Sequence, residues 1–310
     1  MIKRTLYFGN PSYLSLKNDQ LVLKLPEVEA NSTLTDEFKQ LNVKTFPIED
    51  IGVVVLDHKQ ITITQALLEK LLENNCAVIT CDCRRMPSGL LLHLEGNTLQ
   101  EERFTSQIEA SLPLKKQLWQ QTVIRKIENQ AAVLKAYTEA DTGCMMQWAK
   151  QVKSDDSDNL EARAAAYYWS HLFPQLPHFT RDRNGGFPNA WLNYGYAILR
   201  AVVARALVAT GLLPTFGIHH RNRYNAYCLA DDIMEPYRPY VDAMVVQLVS
   251  QYGEEEDLSK PVKTQLLQLP VVDVVIQNHR SLLMVAVAAT ANSLYKCYAG
   301  ETKKVIFPKM

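Results

Sequence analysis

With 310 residues, 47% of them hydrophobic and 21% charged, the chain has an ordinary globular profile and enough apolar surface for one large domain or two modest ones, which excludes a disordered or fibrous protein. Lys and Arg number 33 and Asp and Glu 33, so the neutral chain exerts no global pull on nucleic acid, and any such site is a local patch. The opening MIKRTLYFGNPSYLSLKND lacks the apolar core and cleavage site of a secretory signal, the best membrane-span candidate, SLLMVAVAATANSLYK, is too short, and the six cysteines are unpatterned. These features predict a cytoplasmic protein with free thiols and no membrane contact.

Along the first ninety-odd residues, LYFGN, YLSLKND, QLVLKL, KTFPIED, IGVVVLDHK, AVITCD and GLLLHL read as short strands divided by turn residues. One helix is expected to interrupt them, ITITQALLEKLLENN, with Leu67, Leu68, Leu71 and Leu72 at helical spacing and Thr62 or Thr64 as its cap. From Glu101 onward the period changes to 3.6. RFTSQIEASL, LKKQLWQQTVIRKIENQAAVLKAY, CMMQWAKQVK, NLEARAAAYYWSHLF, NAWLNYGYAILRAVVARALVAT, VDAMVVQLVSQY and SLLMVAVAATANSLYKCYAG all read as helices. The fifth is delimited by Pro188-Asn189 as an N-cap and by Gly211 with Pro214 as a stop, while SDDSD (154–158) and GEEED (253–257) read as solvated loops. The expected architecture is α+β: a β-rich domain over 1–96, then an all-helical domain over 102–310.

No phosphate-binding loop, dinucleotide fingerprint, H-E-x-x-H or G-x-S-x-G is present, so chemistry has to come from polar groups on otherwise apolar helices. Glu161 ends an alanine-rich stripe, and it reads either as a ligand or as a first-turn carboxylate behind an Asn159 cap. His219 and His220 follow a glycine-containing turn and supply at most one imidazole to an ion, or simply decorate the turn. Asp232 and Glu235 share a helix face while Asp231 points away; by itself that spacing reads as a capping box with Pro236 in the first turn. Arg181, Arg183, Arg221, Arg223 and Arg238, interleaved with Tyr224, Tyr227 and Tyr237, suit phosphate contacts and stacking on unpaired bases. Two carboxylates and one imidazole with open positions suit Mg²⁺ or Mn²⁺ better than a closed zinc site.

The stretch GLLPTFGIHHRNRYNAYCLADDIMEPYRP resembles the metal-site segment of the CRISPR-associated integrase family, the catalytic subunit of spacer acquisition, in which a G-L-x-P-x-x-G-x-x-H run precedes D-x-M-E-P-x-R-P. Here the runs are Gly211, Leu212, Pro214, Gly217, His220 and then Asp232, Met234, Glu235, Pro236, Arg238, Pro239. EARAAAYYW, FPNAWLNYGYAILRA (with Asn189) and VIRKIENQ (Lys126, Ile127, Asn129, Gln130) resemble three further blocks of that family, in the same order; Ala162 stands where the family usually has glycine. The GIHH-R-N context and length look most like the forms that accompany single-protein RNA-guided effectors (type II systems).

The resemblance implies a metal-dependent DNA endonuclease and integrase of prokaryotic adaptive antiviral defence, joining the 3′-hydroxyl of a short foreign fragment to a repeat-edge phosphodiester. It implies catalytic metal ligands at Glu161, His220 and Glu235, with Asp232 supporting, and DNA contacts at the five arginines, with Lys126 a further phosphate contact or merely solvated. It also implies a homodimer held through the β domain, two such dimers clamping a dimer of a small ferredoxin-like partner. A stand-alone nuclease on branched DNA and a non-catalytic scaffold are the competing readings.

Overall fold

The computed structural model describes residues 3–176, 179–253 and 258–310. Residues 254–257 of the GEEED stretch therefore lie outside the described residues. The chain divides into two compact units, Met1–Gly96 and Asn97–Met310.

In the first unit, β1 (Arg4–Phe8), β2 (Ser12–Lys17), β3 (Gln20–Lys24), α1 (Pro26–Glu29), α2 (Asp36–Leu41), β4 (Lys44–Pro47), β5 (Ile51–Leu56), β6 (Ile61–Ile63), α3 (Gln65–Glu73), β7 (Ala77–Cys81) and β8 (Pro87–Leu91) follow in order. They form two four-stranded sheets, β1-β5-β7-β8 and β4-β3-β2-β6. β5 lies between parallel neighbours β1 and β7, which is why IGVVVL is a continuous apolar run rather than an alternating one. Leu67 and Leu71 of α3 join Phe8, Leu14, Leu21, Ile51 and Val54 in the core.

All seven expected strands form, but the single expected helix is corrected to three. PEVE and DEFKQL are too short to show a period, and the ITI of the expected helix instead pairs with β2 as the parallel strand β6. Thr64 occupies the N-cap position of α3 without a side-chain bond.

The second unit consists of α4 (Gln100–Ile108), α5 (Leu112–Tyr137), α6 (Gly143–Gln151), α7 (Leu160–Leu172), α8 (Asn189–Ala209), α9 (Cys228–Met234), α10 (Arg238–Tyr252), α11 (Lys260–Leu266), β9 (Asp273–Ile276), β10 (His279–Leu282) and α12 (Leu283–Tyr298). It is not all-helical: β9 and β10 form an antiparallel hairpin whose turn residues, Gln277 and Asn278, both take positive φ, the twist a two-residue hairpin needs. Seven-residue α9 is buried at every position, so it shows no amphipathic stripe to read.

α8 is long and apolar enough, by length and composition, to cross a membrane, and is a better candidate by that test than the 281–296 stretch. Here most of it is buried as the central helix, packed against α9, α10, α11 and α12. Gly211, at φ +75°, ends it: Leu212 N–H reaches back to Leu207 O at 2.8 Å, closing the helix in a left-handed cap.

Three loop expectations are corrected. Ser154–Asp156 forms a 3₁₀ turn, not a wholly solvated loop, and Asp156 is buried. Its Oδ1 accepts Leu160 N–H and its Oδ2 accepts Glu161 N–H, both at 2.9 Å, so Asp156 caps α7 in place of Asn159, which takes a left-handed backbone. Asn189 does not cap α8 either; its side chain accepts from Asp182 N–H and Arg181 and donates to Thr180 O, tying down the preceding loop.

Candidate active site

The site is assembled on α5, the long helix that packs against α6, α7 and α10. Two segments packed on it, α7 and the turn before α10, deliver one glutamate each. The Asp156 cap fixes the first turn of α7 and with it Glu161. Glu235 opens a one-turn 3₁₀ segment, Glu235–Tyr237, between α9 and α10, and Asn129 Nδ2 on α5 holds that segment by donating to Pro236 O at 2.8 Å. Lys126, 8% exposed, sits between the two glutamates. Its ammonium donates to Glu161 Oε1 and lies 2.6 Å from Glu235 Oε2.

His220 is held from the other side. Asp232, fully buried in α9, accepts Ile218 N–H at 2.6 Å, His219 N–H at 2.9 Å, His220 N–H at 3.3 Å and the His220 imidazole Nδ1 at 2.5 Å. Asp232 therefore organises the 218–220 loop and is no capping box; α9 begins four residues earlier at Cys228. Gly217 makes the loop's close approach possible, since a Cβ there would meet His220 O at 2.4 Å and Asp232 Oδ2 at 2.8 Å. The two histidines part company: His219 stacks flat on Trp119 of α5, centroids 4.3 Å apart, with Nδ1 3.5 Å from Asp155, while His220 turns to Asp232. Asp231 points away, paired to Arg200 through two bonds and to Asn225.

The electrostatics couple these groups. The hydrogen bond to Asp232 holds the His220 imidazole above its ordinary pKa against burial, and the charges of Asp232, Glu235 and Glu161 add to it. Burial pushes the Glu235 carboxyl up, but Arg238 and then Lys126 more than reverse this, leaving it at about 2. Burial likewise opposes the Lys126 ammonium, yet Glu235 and Glu161 keep its pKa above the usual value. At neutral pH Glu235 is thus ionised beside a charged Lys126 ammonium.

Two carboxylates and an imidazole are a donor set for a hard divalent cation. One feature fits one: with its Nδ1 proton committed to the Asp232 carboxylate, the neutral His220 imidazole carries its lone pair on Nε2, the arrangement of a metal-binding histidine, while Glu235 Oε2 is ion-paired to the Lys126 ammonium. Among the described residues no three His, Cys, Asp or Glu side chains converge into a ready cage; the two glutamates converge on Lys126 instead.

The arginines divide. Arg183, Arg221 and Arg223 are exposed. Arg181 is committed to Asn189 and Asn193 and lies over the Tyr196 ring. Arg238 donates to Glu235 Oε1 at 2.8 Å and also lies over Tyr196, so it orients a carboxylate. Tyr224 is 81% exposed, whereas Tyr237 is buried and bonded to Thr290, which removes it from base stacking.

Sequence reasoning missed Trp119, the platform under His219, and a groove of about 920 Å³ along α5 whose cations are Arg125, Lys150, Lys153, Lys303 and Lys304. It also left Lys126 as a phosphate contact or a solvated group, and burial rules out the second. The +7 spacing from Trp119 to Lys126 was the available signal that both share one helix face.

The fold and this centre define a class: a two-unit protein, strands first and helices second, with two glutamates bridged by a buried lysine between helices of the second unit. Residues 6–268 match the family model described as CRISPR associated protein Cas1, and the chain belongs to that family. It is 34% identical to the CRISPR-associated endonuclease Cas1 of Neisseria meningitidis serogroup C, over 98% of this chain and 94% of the relative. A CRISPR-associated endonuclease Cas1 from Pyrobaculum aerophilum is 30% identical over 69% of this chain and 77% of its own. Among solved structures, a casposase bound to integration product superposes with a TM-score of 0.75 at 20% identity, covering 98% of this chain and 92% of that one. A Cas1 protein from Thermotoga maritima superposes at 0.72 and 16%, covering 96% and 97%. A chain of a Cas6-RT-Cas1–Cas2 complex superposes at 0.70 and 19%, covering 97% of this chain and 35% of its own. At these identities the likenesses establish the fold.

Proposed function

We propose that this chain is the metal-dependent endonuclease and integrase of a spacer-acquisition complex, joining short foreign DNA to the edge of a CRISPR repeat. The observation that carries the reading is that Glu161 and Glu235, from separate helices, meet on one ammonium within electrostatic reach of the His220 imidazole. Family membership and the activity named for the relatives support it.

The reaction is a transesterification. A fragment's 3′-oxygen attacks a repeat phosphorus and loses its proton, a new P–O bond forms, and the displaced 3′-oxygen leaves and is protonated. Glu161, His220 Nε2 and Glu235 would hold Mg²⁺ or Mn²⁺, which supplies charge stabilisation for the attacking and leaving oxygens. The chain's own residues do the rest. Asp232 fixes the imidazole tautomer, Arg238 and Lys126 keep Glu235 ionised, and Arg183, Arg221 and Arg223 with the α5 groove offer positive charge to phosphates.

The protein works in the prokaryotic cytoplasm as a homodimer through its β unit, two dimers clamping a dimer of a small ferredoxin-like subunit. The complexes named for the structural neighbours support such a partner.

The test is an in vitro joining assay with the partner subunit, a repeat-containing plasmid and Mg²⁺ or Mn²⁺. Glu161→Ala, His220→Ala and Glu235→Ala each remove joined products while the dimer persists on gel filtration. Full joining by His220→Ala rejects the ligand set, and cleavage without joining favours the stand-alone nuclease.

A further inference from the structure

The K-I-x-N-Q run on α5 contributes three buried polar side chains that the proposed reaction does not use as ligands. Asn129 ties neighbouring backbone together, donating to Pro236 O and Pro308 O and accepting Met310 N–H. Lys126 and Gln130 are left, one helical turn apart and on the same face.

Lys126 holds the space between Glu161 Oε1 and Glu235 Oε2, and a divalent ion shared by those carboxylates cannot sit beside an ammonium in that space without strong repulsion. Gln130 is 3% exposed, yet its Oε1 has no hydrogen-bond partner among the described residues, an unusual state for a buried acceptor. Gln130 and Lys126 both line a cavity of about 160 Å³, together with Glu235, Arg181, Arg238 and the buried Asp242, whose two oxygens already accept from Tyr168 and Tyr196. A flexible lysine side chain thus has a cavity within reach with one unpartnered acceptor, Gln130 Oε1, at its wall.

We infer that Lys126 is a two-position counter-ion: without a divalent cation it bridges Glu161 and Glu235, and on cation binding its ammonium moves into the 160 Å³ cavity to Gln130 Oε1, so that this lysine sets the ion affinity of the site. The inference rests on Glu161 and Glu235 being ion ligands. It gives the lysine and glutamine of the run a joint role and explains why the two glutamates meet on a lysine rather than around an open point.

The experiment measures Mn²⁺ binding to the full chain by electron paramagnetic resonance and calorimetry at pH 8. Lys126→Met removes the competitor, so Mn²⁺ binds tighter by about tenfold or more, while the metal-free melting temperature falls because Glu161 and Glu235 lose their shared ammonium and only Glu235 keeps a cation, Arg238. Gln130→Leu removes the receiving acceptor and weakens Mn²⁺ binding by about five- to tenfold. A lysine with a merely structural role would give no gain of affinity. Unchanged or weaker Mn²⁺ binding by folded Lys126→Met overturns the inference.

Should that variant not fold, the ¹⁵N-lysine NMR spectrum of the unaltered protein decides. The Lys126 ammonium signal shifts on saturation with Mg²⁺, and an unmoved signal overturns the inference. Glu161→Gln separates the two levels. Mn²⁺ binding that depends on Glu161 but is indifferent to Lys126 defeats this inference alone, whereas binding indifferent to Glu161, or no binding at all, defeats the functional reading as well.

Discussion

Asp232→Asn changes one atom of a carboxylate that accepts four hydrogen bonds and is fully buried. The amide oxygen can serve only one side. If it stays with Ile218 N–H and His219 N–H, those two bonds become neutral rather than charge-assisted, losing about 1 kcal/mol each. The amide N–H₂ then confronts His220 N–H and the imidazole Nδ1. Because the His220 side chain is 48% exposed, its lost ion pair counts at the low end, about 1 kcal/mol. The sum is about 3 kcal/mol, a fall in melting temperature of roughly 6–12 °C for a unit of this size.

The chemical effect goes beyond stability. An amide N–H pointing at Nδ1 selects the opposite tautomer, which puts the ring proton on Nε2 and removes the lone pair offered to the ion. Mn²⁺ affinity should therefore fall about 10–100-fold, with loss of strand joining, in a chain that still folds. Thermal melts paired with Mn²⁺ titration measure both. A variant that melts with the unaltered protein and keeps its Mn²⁺ affinity refutes the role given to Asp232.

Asp156→Ala deletes the cap of α7 and should cost about 1–2 kcal/mol in urea unfolding, with reduced joining because Glu161 sits in the freed turn; unaltered unfolding contradicts the cap. Gly217→Ala forces a Cβ against a backbone carbonyl and a fixed carboxylate, so the loop must shift; a loss of about 1–3 kcal/mol and of joining is expected, measured on the same samples. Asp242 gives a pH signature. Burial, only partly offset by hydrogen bonds from Tyr196 and Tyr168, raises its pKa from 3.8 to about 6. The folded state thus holds this proton to higher pH than the unfolded one, so the group's contribution is greatest below about pH 4, falls as pH rises to about 6, and is flat above. The window corresponds to at most about 3 kcal/mol. Asp242→Asn removes that fall, and urea melts at pH 4.5 and 7 should show the difference between variant and unaltered protein moving in the variant's favour as pH rises.

Elements with strong local periods were legible in the sequence: the seven strands, α5 and α8 all follow from apolar spacing and turn residues. What stayed hidden had a physical reason. α9 is buried on every side and so lacks a stripe, α1 and α2 are shorter than two turns, and β6 is three residues that acquire their state only by pairing with β2. The caps failed similarly: Asp156 and Asn159 look equally able to cap α7, and only the turn at 154–156 decides which carboxylate or amide reaches the free N–H groups. In the site, spacing identified Asp232, Glu235 and the histidine pair, but not that Asp232 gathers the loop, that Trp119 takes His219, or that Lys126 is internal. Those facts depend on long-range contacts that no local pattern records: the 218–220 loop folding onto Asp232 and Trp119, and α5 meeting α7 and the 235–237 turn.

The central claim, that Glu161, His220 and Glu235 hold one divalent ion, is tested most directly by crystals of the unaltered protein soaked in Mn²⁺ and measured at the manganese absorption edge. The account predicts a single anomalous peak at about 2.0–2.6 Å from a carboxylate oxygen of each glutamate and from His220 Nε2, with the Lys126 ammonium moved off at least one of them. No peak there at saturating Mn²⁺, with Lys126 still bridging both glutamates, contradicts it.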